Sequence, residues 1–235
     1  MRSEAVNGLT CDSIYSPRGG PVPNGPLSLP ARLCLLAWDA ARPAAGGTAH
    51  RPGPVRAGAL VELARRGLLT DEDGIATPVD LDASTGDAVL DGLLELIRES
   101  CPHPWRTWVT LRARVTFDAV REQLVAEGYL RAEKRRVLGV FPSVEYALER
   151  VAVVEALREE TRQVLRGPLP VAEISEREAA VAALAAAAGL LGATTRAQRA
   201  ADLTERAGTA TPGLGGIVRE VTGAVTAGAA VAPSP

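Results

Sequence analysis

Apolar residues recur in this chain every three or four positions, segment after segment, and that period commits it to packed helices. In residues 55–66, Ala59, Leu60, Leu63 and Ala64 fall on one face, while Glu62, Arg65 and Arg66 fall on the other. In residues 87–99, Val89, Leu90, Leu93, Leu94 and Ile97 form a second stripe of the same kind. Gly67 stops the first helix. Ser84 or Thr85 is placed to cap the second, with Asp87 in its first turn near the positive end of the dipole. Aromatics are only 3% of the residues against 46% hydrophobic overall, so the core must be built from Leu, Val and Ala, which helices accommodate well. A length of 235 residues allows one sizeable domain, and a mainly α, single helical domain is expected.

The first 26 residues are rich in Pro, Gly, Ser and Asn and cannot bury enough apolar surface to order themselves. We expect a flexible arm over 1–26, the helical domain over 27–228 and a tail over 229–235. The domain opens on a Leu-rich helix that Ser28 is placed to cap, with Pro30 early in it. A loop dense in Gly and Pro follows over 40–54, then the helix at 55–66, a turn at 71–74 and a short strand at 75–81. After the helix at 87–99, helical regions are expected at 105–114 and 116–127, the latter ended by Gly128. Residues 129–142 set charged and apolar side chains around a turn-like centre, which predicts a β-hairpin. The remaining spacing predicts a long charged helix at 144–165, an Ala-rich core helix at 174–191 and further helices at 195–207 and 213–227.

Formal net charge is −2, so the chain has no global basic footprint for nucleic acid. Lys134 is its only lysine. GC-rich coding explains that bias, yet each arginine still offers phosphate a planar fork that lysine lacks. Cys11, Cys34 and Cys101 are scattered without metal-ligand spacing, and an odd count without a secretory signal fits a reducing cytoplasm. The longest apolar run, 179–193, is short for a membrane span, so any membrane contact is expected from the surface. His50 and His103 stand isolated, and capping accounts for Asp87 and Asp91. No catalytic residue, metal site or cofactor is expected, and the chain does not read as an enzyme.

Several ordered segments carry a resemblance. Arg56-Ala-Gly-Ala-Leu-Val-Glu-Leu-Ala-Arg-Arg-Gly67 is similar to the Arg-Gly-x-x-Leu-x-Glu-Leu-Ala-Leu-Arg-Gly of the Golgi phosphoprotein 3 family. Thr85-Gly-Asp-Ala-Val-Leu-Asp91 resembles its Thr-Gly-Asp-x-Leu-Leu-Asp, and Trp108 matches a tryptophan after the next helix. Leu124-Val-Ala-Glu-Gly-Tyr-Leu130 is similar to its Leu-Val-x-x-Gly-x-Leu, with the hairpin directly after. The resemblance spans roughly Leu27 to Ala227, and the arginine-rich composition points to a bacterial member. It implies one helical domain with a protruding hydrophobic β-hairpin. It also implies a peripheral membrane protein that binds the head group of phosphatidylinositol 4-phosphate through a tryptophan and three arginines. By position the first two arginines fall on Arg56 and Arg114, the third on Phe117, and the tryptophan near Gly47. Arg112 and Arg121 are candidates to replace the third.

The residues themselves support part of this. Arg56 sits near a helix N-terminus, where free amides and the dipole attract anions and where an arginine is misplaced for stability alone. Arg114 belongs to an arginine cluster with Arg106, Arg112 and Arg121. In the hairpin, Arg136, Leu138, Val140 and Phe141 mix positive and apolar side chains, as suits a membrane interface. The expected partner is an anionic membrane lipid at the inner, cytoplasmic face. Because each such contact is weak, an oligomer or a protein partner is expected to add a second anchor. Two rival readings remain. One is a winged-helix-like DNA-binding regulator, since helix, glycine and hairpin occur in that order twice. It is disfavoured because Asp118, Glu122 and Glu127 would repel phosphate. The other is a protein scaffold without lipid binding.

Overall fold

The computed structural model describes residues 27–38, 52–137, 141–191, 197–209 and 213–231, and of 134–137, 141–143 and 230–231 it describes the backbone alone. The expected arm, most of the 40–54 loop and Gly47 lie outside the described residues. The chain forms α1 (Leu29–Leu36), α2 (Pro52–Arg65), a hairpin of β1 (Leu69–Glu72) and β2 (Ile75–Pro78), α3 (Ala88–Arg98), α4 (Trp105–Thr110) and α5 (Ala113–Ala126). A second hairpin of β3 (Leu130–Val137) and β4 (Phe141–Leu148) leads to α6 (Val151–Arg166), α7 (Glu176–Ala187), α8 (Ala197–Arg206) and α9 (Leu214–Val231). The domain is mainly helical and carries two small antiparallel hairpins.

Helix α2 is the axis of the fold. It packs against α1, α4, α5, α7 and α9, and every residue from Pro54 to Ala64 is buried. This corrects the amphipathic reading of 55–66, because Glu62 faces inward. Its carboxylate accepts the Leu29 amide at 3.3 Å and Arg66 Nε at 3.0 Å. Glu62 therefore satisfies the N-terminus of α1, where its negative charge meets the positive end of the dipole. Ser28 is the N-cap residue but makes no side-chain capping bond. The α1–α2 crossing is tight: a Cβ on Gly58 would lie 2.6 Å from Leu33 Cδ1 and 3.2 Å from Pro30 N.

Both hairpins leave a helix in the same way. Gly67 after α2 and Gly128 after α5 have φ of +71° and +72°. The next amides close back onto the helix, Leu68 N to Leu63 O at 3.0 Å and Tyr129 N to Leu124 O at 2.9 Å. In the first hairpin Leu69–Glu72 is a strand where only the turn and its outgoing strand were expected. Trp105 Nε1 ties it to α4 by donating to Asp71 Oδ1 at 2.6 Å. In the second, β4 continues to Leu148, so residues 144–148 are strand rather than the start of the long helix. Val144, Tyr146 and Leu148 alternate with Glu145 and Ala147 at the period of a strand.

Two further boundaries differ from expectation. Asp87 caps α3, its Oδ1 accepting Val89 N at 2.9 Å and Leu90 N at 3.2 Å, while Thr85 binds Asp91 instead. Helices α4 and α5 separate at Leu111–Arg112, with Arg112 left-handed at φ 50° and ψ 26°. No helix among the described residues is long and apolar enough to cross a membrane.

Candidate functional site

Two helix starts meet where α4 gives way to α5. The first turn of α2 holds Pro52, Gly53 and Pro54 and no acidic residue; α5 also begins without an acidic residue or a side-chain cap. Both ends leave the positive end of the dipole uncompensated by local carboxylates. Arg56 joins them. Its Nη2 donates to the Arg112 carbonyl at 2.6 Å, and the same carbonyl accepts Val115 N at 3.0 Å to open α5.

Arg56 is 0% exposed, and its Nε and Nη1 meet no hydrogen-bond partner among the described residues. Burial pushes its pKa down to about 10, which leaves the guanidinium charged at neutral pH. A buried cation with one neutral acceptor is poorly compensated, so this corner is electrostatically primed for a negative group.

Arg112 in this turn and Arg114 just after it are exposed, as is Arg106 in the first turn of α4. Arg114 Nε lies 3.6 Å from Asp118 Oδ2, with side chains 66% and 40% exposed. Such a surface pair is weak and exchangeable for another anion. Arg106 and Arg112 form no ion pair among the described residues. Val115, in the first turn of α5, is 62% exposed beside them.

The structure thus brings Arg56 and the backbone leading to Arg114 into one corner but places their side chains differently, one buried and the other in solvent. Arg121 meets them only through Asp118, which it shares with Arg114. It is 9% exposed, pairs with Asp118, and stacks on Phe117 at 4.8 Å and on Tyr146 at 4.3 Å. It fastens the second hairpin to α5. Phe117, at the position of the expected third arginine, is a core residue.

Of the expected hairpin contacts, Leu138 and Val140 lie outside the described residues. Arg136 and Phe141 are placed by backbone only, opposite Pro142 and Val137 at the end of the ladder remote from α5. His103 packs edge-on to Trp108 with ring centroids 5.5 Å apart. Among the described residues no group of three or more His, Cys, Asp and Glu could hold a metal ion. The role of Arg112 was the least visible in advance: no Gly, Asn or Pro marks its left-handed turn.

A family model described as Golgi phosphoprotein 3 (GPP34) matches residues 29–225. No curated protein matches the chain.

Proposed function

The chain belongs to the Golgi phosphoprotein 3 family, and from that premise we propose that it is a peripheral membrane protein that recognises anionic phospholipid head groups at the α2–α5 corner. The observation that carries this reading is the buried, under-compensated Arg56 bound beneath the turn that presents Arg112 and Arg114. In this reading Arg114 and Arg112 contact phosphate directly, with the free amides of α5 behind them. Arg56 positions their turn and adds positive potential from below. Arg136, Leu138, Val140 and Phe141 are the second contact in this reading; the two strands of eight residues that they belong to or connect reach about 25 Å.

Magnitudes limit what one copy achieves. Each arginine near an anionic leaflet contributes about 1 kcal/mol, and burying Phe141 or Leu138 adds on the order of 1.5–3 kcal/mol. The sum is reversible attachment, strengthened by an oligomer or a protein partner through avidity. Phosphatidylinositol 4-phosphate is the family's ligand. The loss of its third arginine to Phe117 favours broader recognition of anionic lipid here, at the cytoplasmic face of a membrane. The chain acts in this reading as a binding protein, not an enzyme.

Vesicle flotation tests the proposal. Binding is expected to vesicles containing phosphatidylglycerol or phosphatidylinositol 4-phosphate, to weaken with salt, and to fall in the double variant Arg112→Ala, Arg114→Ala. Equal binding to neutral phosphatidylcholine vesicles, or binding to duplex DNA and to no vesicle, would defeat it.

A further inference from the structure

Next to the arginine corner runs an apolar cleft of about 250 Å³. The start of α2 and the end of α4 form one side and the last turns of α9 the other, with Gly53, Val109, Thr110, Ala224, Val225 and Gly228 among the lining residues. Among the described residues no charged side chain lines it. Its single polar side chain, Thr110, already donates to Thr107 O at 3.2 Å. The cleft therefore selects for hydrocarbon and offers a polar ligand little to bind.

Its position says which hydrocarbon. Thr110 lies two residues before Arg112, so their Cα atoms are at most about 7 Å apart. Gly53 lies one helical turn before Arg56. An apolar slot and a cationic turn, whose Arg112 forms no ion pair among the described residues and whose Arg114 meets only the exposed Asp118, thus share the same two backbone segments, which is the pattern an amphiphile with a negative head would match. About 250 Å³ lies below the usual range for a whole drug-sized ligand and suits part of one flexible chain.

We propose that this cleft takes an acyl chain of the anionic phospholipid whose head group the Arg112–Arg114 turn holds. The inference rests on the lipid-binding reading above and adds to it that one lipid is drawn partly out of the bilayer.

Tryptophan quenching by brominated acyl chains in phosphatidylglycerol vesicles tests it, because Trp108 directly precedes Val109 on α4 and Trp105 lies one turn before it. Binding is expected to quench their emission. Gly53→Leu fills the cleft: its Cβ would sit 3.9 Å from Val109 Cγ1, ordinary contact, so the side chain grows into the space without backbone conflict. Ala224→Leu fills it from α9. Each is expected to remove most of the quenching and to weaken vesicle binding about tenfold, equivalent to losing roughly two buried methylenes, while salt-sensitive flotation persists. If one variant loses its helical circular dichroism, the other decides. Flotation of the unaltered protein without quenching, or quenching unchanged in the folded variant, overturns the acyl-chain inference alone. Absence of flotation on any anionic vesicle overturns the head-group reading and this inference with it.

Discussion

Nη2 of Arg56 donates a 2.6 Å hydrogen bond to the carbonyl oxygen of Arg112, 56 positions further along the chain. Each residue is unfavourable alone. A buried guanidinium loses several kcal/mol of hydration, and a left-handed arginine costs roughly 1–2 kcal/mol. Together they offset one another. The left-handed turn aims the Arg112 carbonyl inward, within reach of Arg56, and the bond holds the carbonyl where it also receives the Val115 amide that starts α5. The exposed side chains of Arg112 and Arg114 are thereby carried on a turn fixed from inside the core.

Removing the buried partner should therefore reach both stability and binding. Arg56→Ala is expected to lower the unfolding free energy by about 2–4 kcal/mol through the cavity and the lost hydrogen bond. Arg56→Met should be milder, because it fills the space and removes the buried charge as well. Both should weaken anionic vesicle binding, since both free the turn. Urea denaturation and flotation measure the two effects; an unchanged denaturation midpoint in Arg56→Ala would contradict its place in the core.

At Arg112 stability and binding should part. Glycine adopts φ near +50° without the Cβ conflict, whereas alanine keeps it. Arg112→Gly is expected to be more stable than Arg112→Ala by about 1 kcal/mol. Both variants should lose anionic vesicle binding to the same extent, because both lack the guanidinium. If glycine and alanine melt alike, the left-handed turn is not strained.

The helices were legible wherever burial followed a local period. Val89, Leu90, Leu93, Leu94 and Ile97 face the core as their spacing dictates. The period misled for α2, because among the described residues six helices, α1, α3, α4, α5, α7 and α9, pack around it and Glu62 on its far face is buried. Glu62 became the cap of α1, a role that depends on a contact 33 residues distant. Strand β4 was hidden because it runs straight into the charged, helix-forming stretch after Leu148, although Val144, Tyr146 and Leu148 carry the alternation. At the candidate site, family position picked out Arg56 and Arg114, but no sequence signal reports that one is buried and the other exposed. That difference is set by tertiary packing, which encloses α2 around Arg56 and leaves the side of α5 that carries Arg114 open.

The hairpin's attachment depends on Arg121, whose guanidinium lies over the rings of Phe117 on α5 and Tyr146 on β4. Each partly desolvated cation–π contact contributes about 1–2 kcal/mol. Tyr146→Ala and Arg121→Gln should both raise amide hydrogen exchange along β3 and β4 with little change in α7. Exchange that rises equally throughout the molecule would indicate a general loss of stability and no specific anchor.

In the loop before α3, the Asp91 carboxylate gathers Ser84 and Thr85, while Arg98 holds the carbonyls of Asp80 and Ala83. Desolvation pushes the Asp91 pKa up, but hydrogen bonds from the Thr85 amide at 2.6 Å, Thr85 Oγ1 at 2.7 Å and Ser84 Oγ at 3.0 Å outweigh it and leave the pKa below the usual 3.8. A pKa lower in the folded than in the unfolded state means the unfolded chain binds the proton more readily. The contribution of Asp91 is therefore complete above about pH 4 and is lost as pH falls through the depressed folded value. Asp91→Asn removes the charge while keeping one acceptor oxygen. Thermal melts should show the variant less stable than the unaltered protein at pH 7, with the gap closing progressively below pH 4. A gap that stays constant down to pH 2.5 would mean that the carboxylate's charge does not hold this loop.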